Sequence, residues 1–122
     1  MNIIQFLLLK LAEEGKEVGQ MCDKSMQFGL LERNPELLQN NKERLIDEIN
    51  DFYAQVEMLN EYANLGFKPD PEKIAAKKRK VVNFLRYSES LGNVNLSLSP
   101  QLRELNGIND LNFYAKLNIK PK

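Results

Sequence analysis

Residues 45–59, Leu45-Ile46-Asp47-Glu48-Ile49-Asn50-Asp51-Phe52-Tyr53-Ala54-Gln55-Val56-Glu57-Met58-Leu59, decide the fold. Leu45, Ile49, Phe52, Val56 and Leu59 recur at steps of four and three, the period of one face of an α-helix. Glu48 borders that stripe and Asp51 lies one turn further on. Upstream, Lys10-Leu11-Ala12-Glu13-Glu14-Gly15-Lys16-Glu17-Val18 repeats the design. Leu7, Leu11, Val18 and Met21 form an apolar stripe with Glu14 inside it, and Glu17 follows three residues later. Residues i and i+3 share a helix face, so each stretch presents a pair of carboxylates beside an apolar seam. If the seams face each other, four acids crowd together, repel and lose hydration. A hard divalent cation resolves that cost, and Mg²⁺ prefers carboxylate oxygen while leaving positions for water and phosphate.

Composition narrows the chemistry. At 122 residues the chain is most simply one domain, and 43% apolar content is enough for a packed core. Seventeen basic and seventeen acidic residues cancel, which argues against a bulk electrostatic nucleic-acid binder. The charge is segregated: residues 43–61 carry six acids and residues 73–86 six lysines or arginines. Two solvated helix faces would account for this, and so would a cationic wall opposite a metal-loaded acidic one. With no histidine, Ser-His-Asp and Cys-His nucleophiles are excluded, as are the Glu-x-x-His pairs of ferritin-like di-iron bundles. One cysteine serves zinc poorly. Cys22 has no intramolecular disulfide partner, which fits a reducing cytoplasm, and its spacing four after Val18 predicts a buried small hydrophobe.

The run Ile3-Ile4-Gln5-Phe6-Leu7-Leu8-Leu9 lacks a basic segment before it, is closed by Lys10 and is far too short to span a bilayer. It reads as the buried first turns of a core helix. That helix extends from about Ile3 to near Leu31, with Gly15 and Gly29 as weak points; Gly15 permits close approach of a neighbouring helix or ligand. Asn34-Pro35 marks a turn, Glu36–Asn41 is a polar connection with room for one helical turn, and Asn40-Asn41 caps a second helix from about Lys42 to Asn64. Leu65-Gly66-Phe67-Lys68-Pro69 stops it. Asp70-Pro71 then reads as an N-cap and first helical residue of a third helix reaching about Leu91-Gly92. Lys77, Lys78, Arg79 and Lys80 are consecutive and fan around that helix; Lys80, Phe84 and Tyr87 share one side, Asn83 and Arg86 another. Ser99-Pro100 opens a short helix to Leu105. Residues 106–122 read as irregular, and Leu111, Phe113, Tyr114 and Leu117 are too apolar for a free tail. The expected organisation is a helical domain over residues 1–92 and an extension, 93–122, packed on the bundle or on a partner subunit.

The pattern E-x-x-E, a spacer, then E-x-x-D resembles the all-α nucleotide pyrophosphohydrolases of the MazG-like superfamily. Lys10-Leu11-Ala12-Glu13-Glu14-x-x-Glu17-Val18 and Leu45-Ile46-Asp47-Glu48-Ile49-Asn50-Asp51 carry the resemblance, which covers roughly residues 3–92. The spacer departs from it slightly: the thirty residues between Glu17 and Glu48 are more than is usual. The resemblance implies a MazG-like four-helix-bundle fold completed by oligomerisation, as a homodimer or homotetramer. It also implies Mg²⁺, with Mn²⁺ able to substitute, held by Glu14, Glu17, Glu48 and Asp51. The implied reaction is water attack at the α-phosphorus of a nucleoside triphosphate, giving monophosphate and pyrophosphate, with Glu17 or Glu14 orienting the water. Glu13 either supports that site or is simply solvated. Lys80 and Arg86, then Lys24, are the cations expected for the phosphates, and Ile4, Phe6, Leu8 and Phe28 the side chains expected to line the base slot. Small free-standing phage and bacterial relatives suggest a purine deoxynucleotide, dGTP or dATP, and a cytoplasmic setting, the host's if phage-encoded. A dUTPase or phosphoribosyl-ATP pyrophosphatase of the same fold is the enzymatic alternative. From a different class, a non-enzymatic helical module would pair its acidic seam with a basic partner helix. No nucleic acid and no membrane are expected as partners.

Overall fold

The computed structural model describes residues 1–97 and 99–107, and the fold there is all-α with no strand among them. Four helices follow one another: α1 (Ile3–Phe28), α2 (Asn41–Ala63), α3 (Pro71–Ser90) and α4 (Pro100–Asn106). No helix among the described residues is long and apolar enough to cross a membrane. The apolar cluster of Leu111, Phe113, Tyr114 and Leu117 lies outside the described residues.

Local chemistry sets the helix ends. The Asn2 side chain accepts from the Gln5 amide while the Gln5 side chain accepts from the Asn2 amide, a reciprocal capping box. Asn40 and Glu43 repeat it at the start of α2. Asp70 Oδ1 accepts from the Glu72 and Lys73 amides, and Pro71 fills the first position of α3, where a missing N–H costs nothing. At Gly29 the backbone turns to φ 96°, which an L side chain rarely adopts. α1 therefore stops at Phe28 rather than near Leu31. Asn64, in the left-handed region at φ 52°, closes α2.

The chain forms two compact units. The first is Met1–Phe67 with Leu105–Gly107; the second, among the described residues, is Lys68–Glu104. In the first unit α1 and α2 pack together as a helical hairpin. Its core is Leu7, Met21, Val56 and Leu59, all buried. The connection between the helices is laid along the start of α2: the Asn41 amide donates to the Glu32 carbonyl at 3.0 Å and the Lys42 amide to the Leu30 carbonyl at 2.8 Å. Between them Pro35-Glu36 forms a turn, closed by the Leu37 amide on the Asn34 carbonyl, with no helical turn in this loop. Asn41, only 3% exposed, donates its side-chain amide to the Gly29 carbonyl at 2.9 Å and to Glu32 Oε2 at 3.0 Å. The far end of α2 is clasped by Asn60, whose side chain exchanges two hydrogen bonds with the backbone of Phe67.

Three expectations are corrected. Ile3, Ile4, Phe6, Leu8 and Leu9 are exposed; of that run only Leu7 is buried. One packing partner covers one stripe of a helix, and an all-round apolar run leaves the rest bare. Cys22 is exposed because Met21 takes the buried position beside it. On α2 the seam passes through Glu48, which is half-buried, and leaves Ile49 half exposed. Steps of four and three fit Leu45-Glu48-Phe52 as well as Leu45-Ile49-Phe52, and packing selects the former.

In the second unit, α3 buries Val82 and leaves Ile74, Val81, Phe84 and Tyr87 exposed. The Lys80 ammonium lies 5.9 Å from the centre of the Phe84 ring, one turn along the same face.

Candidate functional site

The hairpin brings Glu14 of α1 together with Glu48 and Asp51 of α2. Each offers a carboxylate oxygen, and the three lie within 4.8 Å of one another. Glu14 and Glu48 are half-buried and Asp51 is exposed, so the group opens to solvent on the Asp51 side. Its placement follows from the seams: Glu14 takes the step between Leu11 and Val18, and Glu48 the step between Leu45 and Phe52. Next to them the Phe52 ring packs on Gly15, 3.6 Å from where a Cβ would stand. This is the close approach of a neighbouring helix expected at that glycine, and it is ordinary contact that an alanine would also tolerate.

Electrostatics mark Glu48 as the centre of the group. Its pKa is raised, first by partial loss of hydration and then by the negative charges of Glu17, Asp51 and Glu14, with Arg44 opposing. Glu17 therefore acts on Glu48 through its charge while standing outside the trio of close oxygens. Glu13 points elsewhere: it is exposed and ion-paired with Lys10 at 3.1 Å, one turn earlier on α1, and Lys10 also lies over the Phe6 ring.

The donor set is all carboxylate, with no histidine or cysteine among these side chains, and suits a hard, oxygen-seeking divalent cation. Among the described residues this is the one such grouping of acids that could hold a metal ion.

The other expected site residues fall in several places. Lys24 and Phe28 line a cleft of about 350 Å³ at the closed end of the hairpin, with Gln27, Glu32, Asn34, Pro35, Asn41 and Arg44. Ile4, Phe6 and Leu8 are exposed near the opposite end of α1. Phe28 is twenty-four residues beyond Ile4, roughly 36 Å along the helix axis, so one chain does not bring these four into a single slot. Lys80 and Arg86 belong to the second unit, six residues apart on α3 and thus about 120° apart around it.

Sequence reasoning missed two residues. Arg44 precedes Glu48 by one turn, lines the cleft and lowers the Glu48 pKa; its i, i+4 spacing to Glu48 was the available clue. Gln55, one turn beyond Asp51, has a buried Oε1 with no hydrogen-bond partner among the described residues. A polar residue four after Asp51 carried no distinguishing pattern.

No protein-family model matches the chain, and no curated protein or solved structure shows significant similarity to it.

Proposed function

We propose that the chain is a Mg²⁺-dependent nucleoside triphosphate pyrophosphohydrolase of the MazG-like type, its helical bundle completed by other copies of itself. The observation that carries this reading is the meeting of Glu14, Glu48 and Asp51, drawn from two helices, within 4.8 Å. Acids this close, one of them with a raised pKa, are a repulsive arrangement that a cation relieves. Glu14, Glu48 and Asp51 would hold the ion, with Glu17 close by. When bound, Mg²⁺ supplies charge neutralisation for the polyphosphate and favours ionisation of the attacking water.

The reaction balances simply. The water oxygen forms a bond to the α-phosphorus, the bond from that phosphorus to the α–β bridging oxygen breaks, and the electron pair leaves on the diphosphate. The water proton passes to Glu17 or Glu14 and then to solvent. Both are exposed enough to exchange it: Glu17 is exposed and Glu14 half-buried.

The exposed side chains Ile3, Ile4, Phe6, Leu8 and Leu9 favour assembly, because a lone hairpin leaves them in water.

The direct test is pyrophosphate release from the common NTPs and dNTPs with Mg²⁺, with a purine deoxynucleotide the first to try. Hydrolysis that stops with EDTA supports the enzyme. No release from any nucleotide, with or without metal, leaves the helical interaction module as the reading.

A further inference from the structure

The cleft at the closed end of the hairpin is the second concentration of polar side chains in the first unit, and its chemistry differs from that of the acid group. Lys24 comes from the last turns of α1 and Arg44 from the first turns of α2. Neither has an ion-pair partner within 4.0 Å among the described residues. The cleft's one carboxylate, Glu32, already accepts from Asn41. Gln27, Asn34 and Asn41 supply further polar groups, and only Phe28 and Pro35 are apolar. The backbone at the start of α2 adds little, since the amides of Asn41, Lys42, Glu43 and Arg44 donate to Glu32, Leu30, the Asn40 side chain and Asn40 respectively. Any anion held here is held by side chains.

We infer that this cleft is the diphosphate subsite, in which Lys24 and Arg44 hold the β- and γ-phosphates of the triphosphate and then the leaving pyrophosphate. The inference rests on the proposed reaction for its ligand and on the cleft for its location. Two cations against one engaged carboxylate give a site of net positive charge, which suits phosphate oxygens. Arg44 connects the two regions: it lines the cleft, and its charge reaches Glu48 from one turn away. A polyphosphate running from the acid group towards Lys24 would pass Arg44. The base then points the other way, towards the N-terminal half of α1 with its exposed Ile4, Phe6 and Leu8. Of the three cations expected from sequence to take the phosphates, Lys24 lines the cleft, and Lys80 and Arg86 are not needed for this arrangement.

The test is calorimetric binding of inorganic pyrophosphate, which needs no turnover. Measurements use wild type, Lys24→Gln, Arg44→Gln, Arg44→Lys, Glu32→Gln and Lys80→Gln, each with EDTA and with Mg²⁺. Losing one charge-assisted contact should weaken pyrophosphate binding about tenfold in Lys24→Gln and in Arg44→Gln. Arg44→Lys should recover part of the loss, Lys80→Gln should bind as wild type, and Glu32→Gln should bind more tightly. A merely structural role for these residues would not give that gain. Pyrophosphate affinity that is unchanged in both Lys24→Gln and Arg44→Gln overturns the subsite even if nucleotides are hydrolysed. Conversely, Lys24- and Arg44-dependent binding in a chain that hydrolyses no nucleotide keeps the anion subsite and removes the reaction. Glu48→Gln separates the two further, since it should keep the pyrophosphate affinity measured in EDTA.

Discussion

Helices α2 and α3 carry opposite charges at similar density, six acids over residues 43–61 and six bases over residues 73–86, yet they use them differently. On α2, Glu48 and Asp51 meet a third carboxylate because α1 lies against them. On α3 the run Lys77–Lys80 turns by about 100° at each residue and spreads its charge around the axis. Charge density along a chain thus says little about charge in space. A site needs two elements whose packed faces agree.

The sharpest way to break this contrast is to neutralise one charge on each helix. Glu48→Gln is expected to reduce pyrophosphate release to background with helix content unchanged, whereas Lys80→Gln should leave release near wild type. A pyrophosphate assay beside circular dichroism decides it, and near-normal turnover in Glu48→Gln would sink the metal assignment. Within the acid group the comparison narrows to two neighbours on α1. Glu14 belongs to the close trio and Glu17 acts from outside it. Glu14→Gln should therefore approach the Glu48→Gln loss, while Glu17→Gln loses about 10- to 100-fold, as supporting residues of metal sites do. The reverse order of the two would place Glu17 at the centre.

Smaller effects appear in stability. Excess Mg²⁺ or Mn²⁺ should raise the melting midpoint above that in EDTA, with about 2.7 kcal/mol of stabilisation when free metal is a hundred times its Kd. Glu48→Gln should flatten this response, and a wild-type midpoint indifferent to metal over a wide range would count against the site. The smallest effect is in pH. A carboxyl whose folded pKa is raised binds more protons folded than unfolded, so its charged form opposes folding. In EDTA, Glu48 should therefore add stability as pH falls from neutral through its raised pKa, fully present once pH is below the ordinary glutamate value. Differences in midpoint between wild type and Glu48→Gln across that range isolate this contribution. Glu48→Gln should be the more stable of the two at neutral pH, with the gap closing on acidification; a gap that widens instead would contradict the raised pKa.

Much of the helical framework was legible in the sequence because its boundaries are set locally. Asn40 and Asp70-Pro71 act on amides within three residues, and such effects survive any tertiary context; Gly29, read as a weak point within a longer helix, instead ends α1. The i, i+3 spacing beside the apolar seams led to an expected group of four acids; Glu14, Glu48 and Asp51 meet, while Glu17, placed with them by the same spacing, stands outside the trio. Packing phase was harder to read. A period of 3.6 residues lets Glu48 or Ile49 occupy the seam, and only the partner helix distinguishes them. Burial of Ile3–Leu9 was overestimated for a related reason: apolar side chains announce a wish to be covered, not the number of neighbours that cover them. Arg44 offered only its i, i+4 spacing to Glu48 as a clue, since the cleft it lines is formed by the end of another helix and a loop.

The buried amide of Asn41 has a consequence for how the chain tolerates length changes. By tying Gly29 and Glu32 to the first residue of α2, it fixes the rotational phase at which that helix begins. Everything after it inherits the phase. Residues gained or lost between Arg33 and Gln39 reshape the Asn34-Pro35 wall of the cleft but leave both ends of the loop pinned. One residue inserted between Asn41 and Glu48 would instead swing Glu48 and Asp51 by about 100° away from Glu14. The hairpin is thus indifferent to insertion on one side of a single asparagine and intolerant of it on the other.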